Sequence, residues 1–138
     1  MLRIHHEGTK ARRLEEEVEA IATVLVDSAF KVHSALGPGL LESVYEACLA
    51  HELHRRRISF EKQVSLPVHY EGLNIDAGLR LDLVVAGRIV IECKAVESLL
   101  PVHKAQLLTY LKLSGHHLGF LINFNVPTLK EGLKRVVL

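Results

Sequence analysis

The fold of this chain is decided by residues 79–94, which read LRLDLVVAGRIVIECK. Two apolar segments, 79–85 and 88–94, are joined by the dipeptide Ala86-Gly87. Such a short link containing glycine predicts a tight hairpin between two strands. Positions 89–91 are consecutive apolar residues without alternation, so the second strand is expected to be covered on both faces.

Two helices are predicted before this hairpin. From Leu14 to Leu36 the apolar residues recur every three or four positions, and Gly37-Pro38-Gly39 ends the pattern. A second helix is predicted from Leu41 to Arg57. Segment 60–70 alternates, which predicts a strand with an edge or a bend at Pro67. The apolar face expected for the second helix consists of Val44, Ala47, Cys48 and Leu53.

The chain after the hairpin predicts a third helix and further strands. Pro101 suits a first helical turn, so a helix is expected over 102–113, with Gly115 just beyond its end. Segment 117–123 predicts a buried strand, and 133–137 a last short one. We therefore predict an α/β fold with one domain over 14–138, preceded by a flexible arm over 1–13.

Composition limits the classes of protein that need consideration. The chain has 138 residues, enough for one domain with a real core, and a net charge of +1, so any basic surface must be local. Cys48 and Cys93 form no C-x-x-C pair, which favours a reducing compartment. The first residues lack an apolar signal-peptide core, and no apolar run is long enough to span a membrane. We expect a cytoplasmic protein without a membrane partner.

The hairpin carries the strongest chemical signal, since nine residues separate Asp82 from Glu92-Cys93-Lys94. Side chains alternate across a strand, so Glu92 and Lys94 share a face while Cys93 points away. A tight hairpin can bring Asp82 beside Glu92, where the two carboxylates would repel each other unless a cation or a proton intervenes. Mg²⁺ prefers such oxygen ligands and takes one or two protein carboxylates. The alternative is a surface ion pair with a local contact by Asp82.

Two other motifs are ambiguous when taken alone. Gln106 and Tyr110 are four residues apart on the third predicted helix and therefore share one stripe. That stripe could hydrogen-bond a phosphate or hold a catalytic lysine, or it could be a polar, half-exposed helix face. Glu42, in the first turn of the second helix, could equally serve only to favour the helix dipole.

Together these residues resemble a known family. Asp82, Glu92-x-Lys94 and Gln106-x3-Tyr110 resemble the PD-(D/E)XK nuclease superfamily, and the Gln-x3-Tyr addition is like its RecB-type branch. Gly39-x2-Glu42-x2-Tyr45, preceded by His33-x-Ala35-Leu36-Gly37-Pro38, is similar to the GxxExxY proteins placed in that superfamily. The resemblance covers about residues 26–136. It departs from the pattern at Leu81, where a proline is usual before the motif aspartate.

The resemblance implies a restriction-endonuclease-like core, in which helices flank a central mixed β-sheet, and it implies residue roles. Asp82, Glu92 and Glu42 would be metal ligands, with the Cys93 backbone carbonyl as a further ligand. Lys94 would be the catalytic lysine. Gln106 and Tyr110 would match the motif that follows the catalytic lysine.

The leading hypothesis from the sequence is therefore a Mg²⁺-dependent nuclease, with Mn²⁺ as a substitute ion. It would hydrolyse phosphodiester bonds in DNA, with RNA as the alternative nucleic-acid substrate, and would act as a homodimer. The competing hypothesis is a catalytically silent module on the same fold that binds nucleic acid or a protein. The near-neutral charge favours this second hypothesis, since tight phosphate binders are usually basic.

Overall fold

The structure, a computed structural model, describes the backbone of residues 2–138 and the side chains from residue 8 onward. Within these residues no helix is both long enough and apolar enough to cross a membrane. The helices are α1 (Leu2–Leu36), α2 (Glu42–Arg55), α3 (Pro101–Ser114) and the short α4 (Leu129–Gly132). The strands are β1 (Phe60–Ser65), β2 (Val68–Tyr70), β3 (Leu73–Ile75), β4 (Arg80–Val85), β5 (Ile89–Lys94), β6 (Leu118–Asn123) and β7 (Leu133–Val137).

A mixed sheet forms the centre of the molecule. Its five strands follow the order β1-β4-β5-β6-β7, and β5 pairs with β6 in parallel while the other neighbours are antiparallel. The parallel pair requires a crossover, which α3 provides. Strands β2 and β3 form a separate antiparallel hairpin of their own.

Helices cover both faces of this sheet. Ile91 and Cys93 of β5 belong to the core cluster that includes residues of α1 and α2, such as Leu25 and Leu49. Val90 belongs to the opposite cluster, together with Leu107 and Leu111 of α3. Residues 89–93 are all buried, which confirms the prediction of a strand covered on both faces. The restriction-endonuclease-like architecture that the sequence predicted, a central mixed sheet flanked by helices, is also confirmed.

Several boundaries differ from the sequence predictions. Helix α1 begins at Leu2 rather than near Leu14, so the residues of the expected arm that the structure describes are helical. Met1 lies outside the described residues, and the flexibility of the arm stays a prediction. The continuity of the strand predicted over 60–70 is wrong, because β1 ends at Ser65 and β2 starts at Val68, although the interruption falls at the predicted position next to Pro67. Two residues separate the strands: Leu66, which is buried, and Pro67, which is exposed and lacks an N–H for the ladder.

The buried face predicted for α2 is confirmed in part. Leu53 is fully buried and Cys48 packs against the core, as predicted, but Val44 is 37% exposed and Ala47 is exposed as well. Tyr45 and Leu49, which were not predicted for this face, are fully buried. The buried stripe of α2 also includes two carboxylates, Glu46 and Glu52. The buried face of α2 is therefore rotated about the helix axis from the predicted face. As a result, the Glu46 carboxylate points inward, toward Gln63 and the region of Asp82.

Candidate metal centre

The hairpin β4-β5 holds Asp82 and Glu92 side by side. The strand register pairs Leu83 with Ile91, which places Asp82 opposite Glu92 at the next position. The Asp82 N–H donates to Glu92 Oε1 at 3.3 Å, and the Cys93 N–H donates to Asp82 Oδ2 at 2.8 Å. Each carboxylate is thus fixed by the backbone of the opposite strand, which confirms the convergence that the hairpin predicted.

The electrostatics of this pair follow from its burial. Glu92 is only 5% exposed, and burial followed by the charge of Asp82 raises the pKa of Glu92 to about 8. Burial also raises the pKa of Asp82, although the Cys93 N–H and the positive charge of Lys94 oppose that rise. A hydrogen bond between the two carboxyl groups favours the charged form of Asp82. Near neutral pH the pair therefore shares one proton.

Glu42 approaches the pair from the first turn of α2. Partial desolvation raises the pKa of Glu42, Lys94 lowers it, and the charges of Asp82 and Glu46 raise it again. The Ala95 N–H hydrogen-bonds the Glu42 carboxylate and favours its charged form. The residue lies at the edge of the centre rather than inside it, since it is exposed to solvent.

Tyr45 holds the start of α2 in place through its hydroxyl and its ring. Its hydroxyl donates to Gly37 O at 2.6 Å and accepts from the Leu40 N–H at 3.1 Å. Its ring stacks on Phe124, with 4.6 Å between the ring centroids. Gly37 and Gly39 adopt φ values of +69° and +100° in the turn that this hydroxyl closes, and such values favour glycine. Tyr45 is therefore a buried clamp that positions Glu42 and does not itself face the carboxylates.

Glu46 and Gln63 join the centre without having been predicted from the sequence. Glu46 is one turn after Glu42 and only 9% exposed. Gln63 Nε2 donates to Glu46 Oε1 at 2.9 Å and Oε2 at 3.1 Å, and to Asp82 Oδ1 at 3.5 Å. One amide thus connects α2 to β4. Only the interruption of α2's apolar pattern at Glu46 could have indicated this from the sequence.

Gln63 adopts an unusual backbone conformation at the position that faces Asp82. Its φ is +49° within β1, a left-handed value that costs a residue with a side chain about 1–2 kcal/mol. Its neighbours Lys62 and Val64 pair regularly with Leu83 and Leu81. Since strain of this kind persists only where the surroundings maintain it, the bonds to Glu46 and Asp82 are the interactions that hold Gln63 in place.

Lys94 ends β5 beside the carboxylates, and a buried asparagine fixes the loop that follows it. Lys94 lies within electrostatic range of Asp82, Glu92 and Glu42. Asn123, paired with Lys94 across β5-β6, is 1% exposed. It accepts from the Val96 N–H at 3.0 Å and donates to Val96 O at 2.9 Å. The sequence did not single out Asn123, whose role in the fold is to set where the chain leaves the centre.

The remaining predicted residues lie at different distances from the carboxylates. Tyr110 is half-buried, and desolvation with the charges of Glu92 and Asp82 raises the pKa of its hydroxyl. Gln106 is exposed one turn earlier on α3, and among the described residues it has no hydrogen bond to the carboxylates. The Cys93 thiol is buried on the opposite face, where burial raises its pKa far above the ordinary value. Of Cys93, only the backbone faces the centre.

The donor set is suited to a hard divalent cation. Within the described part of the chain, no group of three or more His, Cys, Asp and Glu side chains is arranged to hold a metal ion. Mg²⁺ does not require such a cage, since it keeps several waters and binds one or two carboxylates. In the absence of a metal, a proton shared by Asp82 and Glu92 reduces the repulsion between their carboxylates. A bound cation would reduce the same repulsion. The residues therefore fit a two-carboxylate site completed by water.

Comparison with known proteins identifies the family. The model of the PD-(D/E)XK nuclease superfamily matches residues 19–136. The chain belongs to the PD-(D/E)XK nuclease superfamily. The matched range includes Asp82, Glu92 and Lys94 of the hairpin and Glu42 at the start of α2. Searches of curated proteins and of solved structures found no match.

Membership in the superfamily agrees with the arrangement described above. In the hairpin β4-β5, Asp82 corresponds to the D of the superfamily's name, Glu92 to the (D/E) and Lys94 to the K. The position of the P is occupied by Leu81. Proteins of the PD-(D/E)XK superfamily are mostly nucleases and generally use divalent metals, commonly Mg²⁺. Membership in this family indicates nuclease-like phosphodiester hydrolysis as the class of chemistry.

Proposed function

We propose that this protein is a Mg²⁺-dependent nuclease that hydrolyses phosphodiester bonds in DNA, with RNA as the alternative substrate. The observation that carries the proposal is the pairing of half-buried Asp82 with buried Glu92, which the backbone N–H groups of the hairpin hold side by side on the strands that lead to Lys94. A cation bound there would relieve the repulsion between the two carboxylates. We further assign the chain to the GxxExxY proteins and to the RecB-like branch on its Glu42 and Gln106-x3-Tyr110 motifs, and we propose a cytoplasmic location.

In this proposal Asp82 and Glu92 hold Mg²⁺ or Mn²⁺, with Glu42 and the Cys93 carbonyl as further ligands. When bound, the ion would act as a Lewis acid that activates water and stabilises negative charge on the phosphate. Glu92, whose pKa is raised to about 8 without metal, would hold such an ion in its deprotonated form.

Lys94 has the central role among the groups that do not bind metal. Its ammonium lies on the same face as Glu92, at the end of β5. We propose that it orients the attacking water and stabilises the negative charge that develops on the phosphate oxygens. Tyr110, whose pKa is raised further by desolvation and by the charges of Glu92 and Asp82, would donate a hydrogen bond from its hydroxyl to the phosphate. Gln106, exposed one turn earlier, would contact the nucleic acid.

The test is a nuclease assay on the purified full chain with Mg²⁺ or Mn²⁺. Single-stranded, duplex and branched DNA and single-stranded RNA would be offered, and the products resolved by length. We expect cleavage that chelator abolishes and that Lys94→Ala lowers by about 100-fold or more. Lys112→Ala, which changes an exposed lysine in the last turn of α3, is the matched control and should cleave normally. Equal activity of the wild type and Lys94→Ala would refute the catalytic role of Lys94.

The second candidate function is a catalytically silent module that binds nucleic acid or a protein. The net charge of +1 favours it, since a protein that neutralises many phosphates is usually basic. Calorimetry with Mg²⁺ and with Mn²⁺ separates the two. Metal binding that disappears in Asp82→Asn supports the enzyme, whereas no metal binding by the wild type supports the module.

A further inference from the structure

The first half of α1 extends beyond the core of the domain. Residues 8–17, here called the projecting segment, are exposed except for Thr9, which is half-buried. The first residues of α1 that pack against the core are Val18 and Ile21. No residue of the projecting segment belongs to the hydrophobic core clusters that stabilise the rest of α1. A helix of about ten residues outside a hydrophobic core is only marginally stable in water.

The charges of the projecting segment are separated along the helix. Lys10, Arg12 and Arg13 form a basic stretch, and the next charged residues, Glu15–Glu17, form an acidic one. Within the described residues none of these six side chains takes part in an ion pair. Pairing inside the helix would also be weak, because basic residues that precede acidic ones oppose the helix dipole.

An apolar surface accompanies these charges. Leu14, between the basic and acidic stretches, is 42% exposed. Leu14 and Val18 line one side of a groove of about 690 Å³, and Leu118 and Val137 line the other. Val137 is 63% exposed. Two exposed apolar side chains, Leu14 and Val137, thus flank a groove whose other apolar residues are half-buried or buried, and such a surface can serve as an interaction site.

We propose that the projecting segment is a dimerisation surface that packs antiparallel against the same segment of a second copy of this chain, crossing near Leu14. An antiparallel arrangement places the basic stretch 10–13 of each copy beside the acidic stretch 15–17 of the other. A parallel arrangement would place like charges together, which is unfavourable. The antiparallel contact is also self-complementary, as a two-fold interface requires. Leu14 of both copies loses its exposure to water at the crossing.

This surface is separate from the carboxylate centre. The groove is lined by Gly87 of the β4-β5 turn and by residues 115–118, which precede or begin β6. Asp82 and Glu92 lie at the other end of the hairpin, since Gly87 is at its turn. The proposal therefore does not rest on the proposed nuclease function, and either can fail without the other.

The test uses charge reversal of the full chain and light scattering across a wide range of concentrations. The basic-reversed variant carries Lys10→Glu, Arg12→Glu and Arg13→Glu, and the acidic-reversed variant carries Glu15→Lys, Glu16→Lys and Glu17→Lys. We expect the wild type to have the mass of two chains and each variant alone to have the mass of one. An equimolar mixture of the two variants should return to the mass of two chains, because opposite charges face each other again.

Two further variants control for non-specific effects. Leu14→Glu should yield a single chain, whereas Val102→Glu, at an exposed position of α3, should keep the mass of two. Circular dichroism would confirm that each variant retains its helices. The wild-type dimer should also weaken as salt is added, since exposed charge pairs are screened. A wild type that is a single chain at every concentration overturns the proposal, and so do reversed variants that dimerise alone or fail to combine.

Discussion

Asp82 and Glu92 fix each other across the β4-β5 hairpin. The Asp82 N–H donates to Glu92 Oε1 at 3.3 Å, and the N–H of Cys93, next to Glu92, donates to Asp82 Oδ2 at 2.8 Å. The backbone thus holds two acidic groups together in a place where burial disfavours their charges. Two carboxyl groups can be held together in this place only with a proton or a cation to relieve their repulsion, and this requirement is the basis of the proposed cation site.

The stability of the metal-free protein should fall as the pH rises from about 4.5 to about 8. The pKa of Glu92 is raised from its ordinary value of 4.5 to about 8, so between these values the folded chain binds the proton more tightly than the unfolded chain does. The stabilisation from protonated Glu92 is present below this window and is lost through it, by at most about 5 kcal/mol. Urea unfolding in chelator at several pH values measures the change.

The matched variant for this prediction is Glu92→Gln, which keeps the shape and removes the titration. Its free energy of unfolding should vary much less with pH over the same window. A wild type and a Glu92→Gln variant with the same dependence on pH would show that Glu92 does not titrate there.

Mg²⁺ should bind more tightly as the pH rises toward 8, because it must displace the proton shared by Asp82 and Glu92. The melting temperature with Mg²⁺ should therefore increase more at pH 8 than at pH 6. Binding at about 100 times the dissociation constant stabilises a folded protein by about 2.7 kcal/mol. Asp82→Asn should abolish the increase at both pH values, whereas Asp76→Asn, in the exposed loop after β3, should retain it.

Gln63→Gly should separate backbone strain from the role of the amide. Glycine tolerates the φ of +49° without the cost borne by glutamine, so the loss of stability should be small. The bonds to Glu46 and Asp82 are lost, and Mg²⁺ affinity should fall about 10- to 100-fold, as it does when groups that orient metal ligands are removed. Calorimetry measures the affinity.

Variants of two neighbouring residues test whether the amide acts as described. Glu46→Gln can still accept a hydrogen bond from Gln63 and should retain more affinity than Glu46→Ala. Glu61→Gln, an exposed change on the same strand, should have no effect. Unchanged Mg²⁺ affinity in Gln63→Gly would mean that the amide serves only the fold.

Tyr45→Phe should loosen the start of α2 while preserving the stack on Phe124. The loss of the hydroxyl leaves Gly37 O and the Leu40 N–H without this partner. We expect a loss of about 1–3 kcal/mol in the free energy of unfolding. Tyr70→Phe changes a tyrosine that is 67% exposed and should leave stability unchanged. Equal stability of wild type and Tyr45→Phe would contradict the clamp.

How much of this protein could be predicted from sequence is clearest at the hairpin. Alternation along a strand is a local property of the chain, so the common face of Glu92 and Lys94 follows from spacing alone. The closeness of Asp82 to Glu92 follows from the shortness of the turn at Ala86-Gly87. The strand β7 over 133–137 was likewise predicted with its observed limits. The catalytic and metal-binding roles of these residues stay predictions.

The tertiary structure alone decided which side chains complete the centre. Helical spacing gave no reason to turn Glu46 inward, because the apolar residues of α2 allow more than one buried face and packing against α1 and the sheet selects one. Gln63 joined Glu46 to Asp82 through contacts between residues 17 and 19 positions apart in the chain. The sequence by itself thus determined the hairpin and its charges, since those depend on neighbours along the chain. The partners of these charges depend on how distant segments pack, which no local pattern encodes.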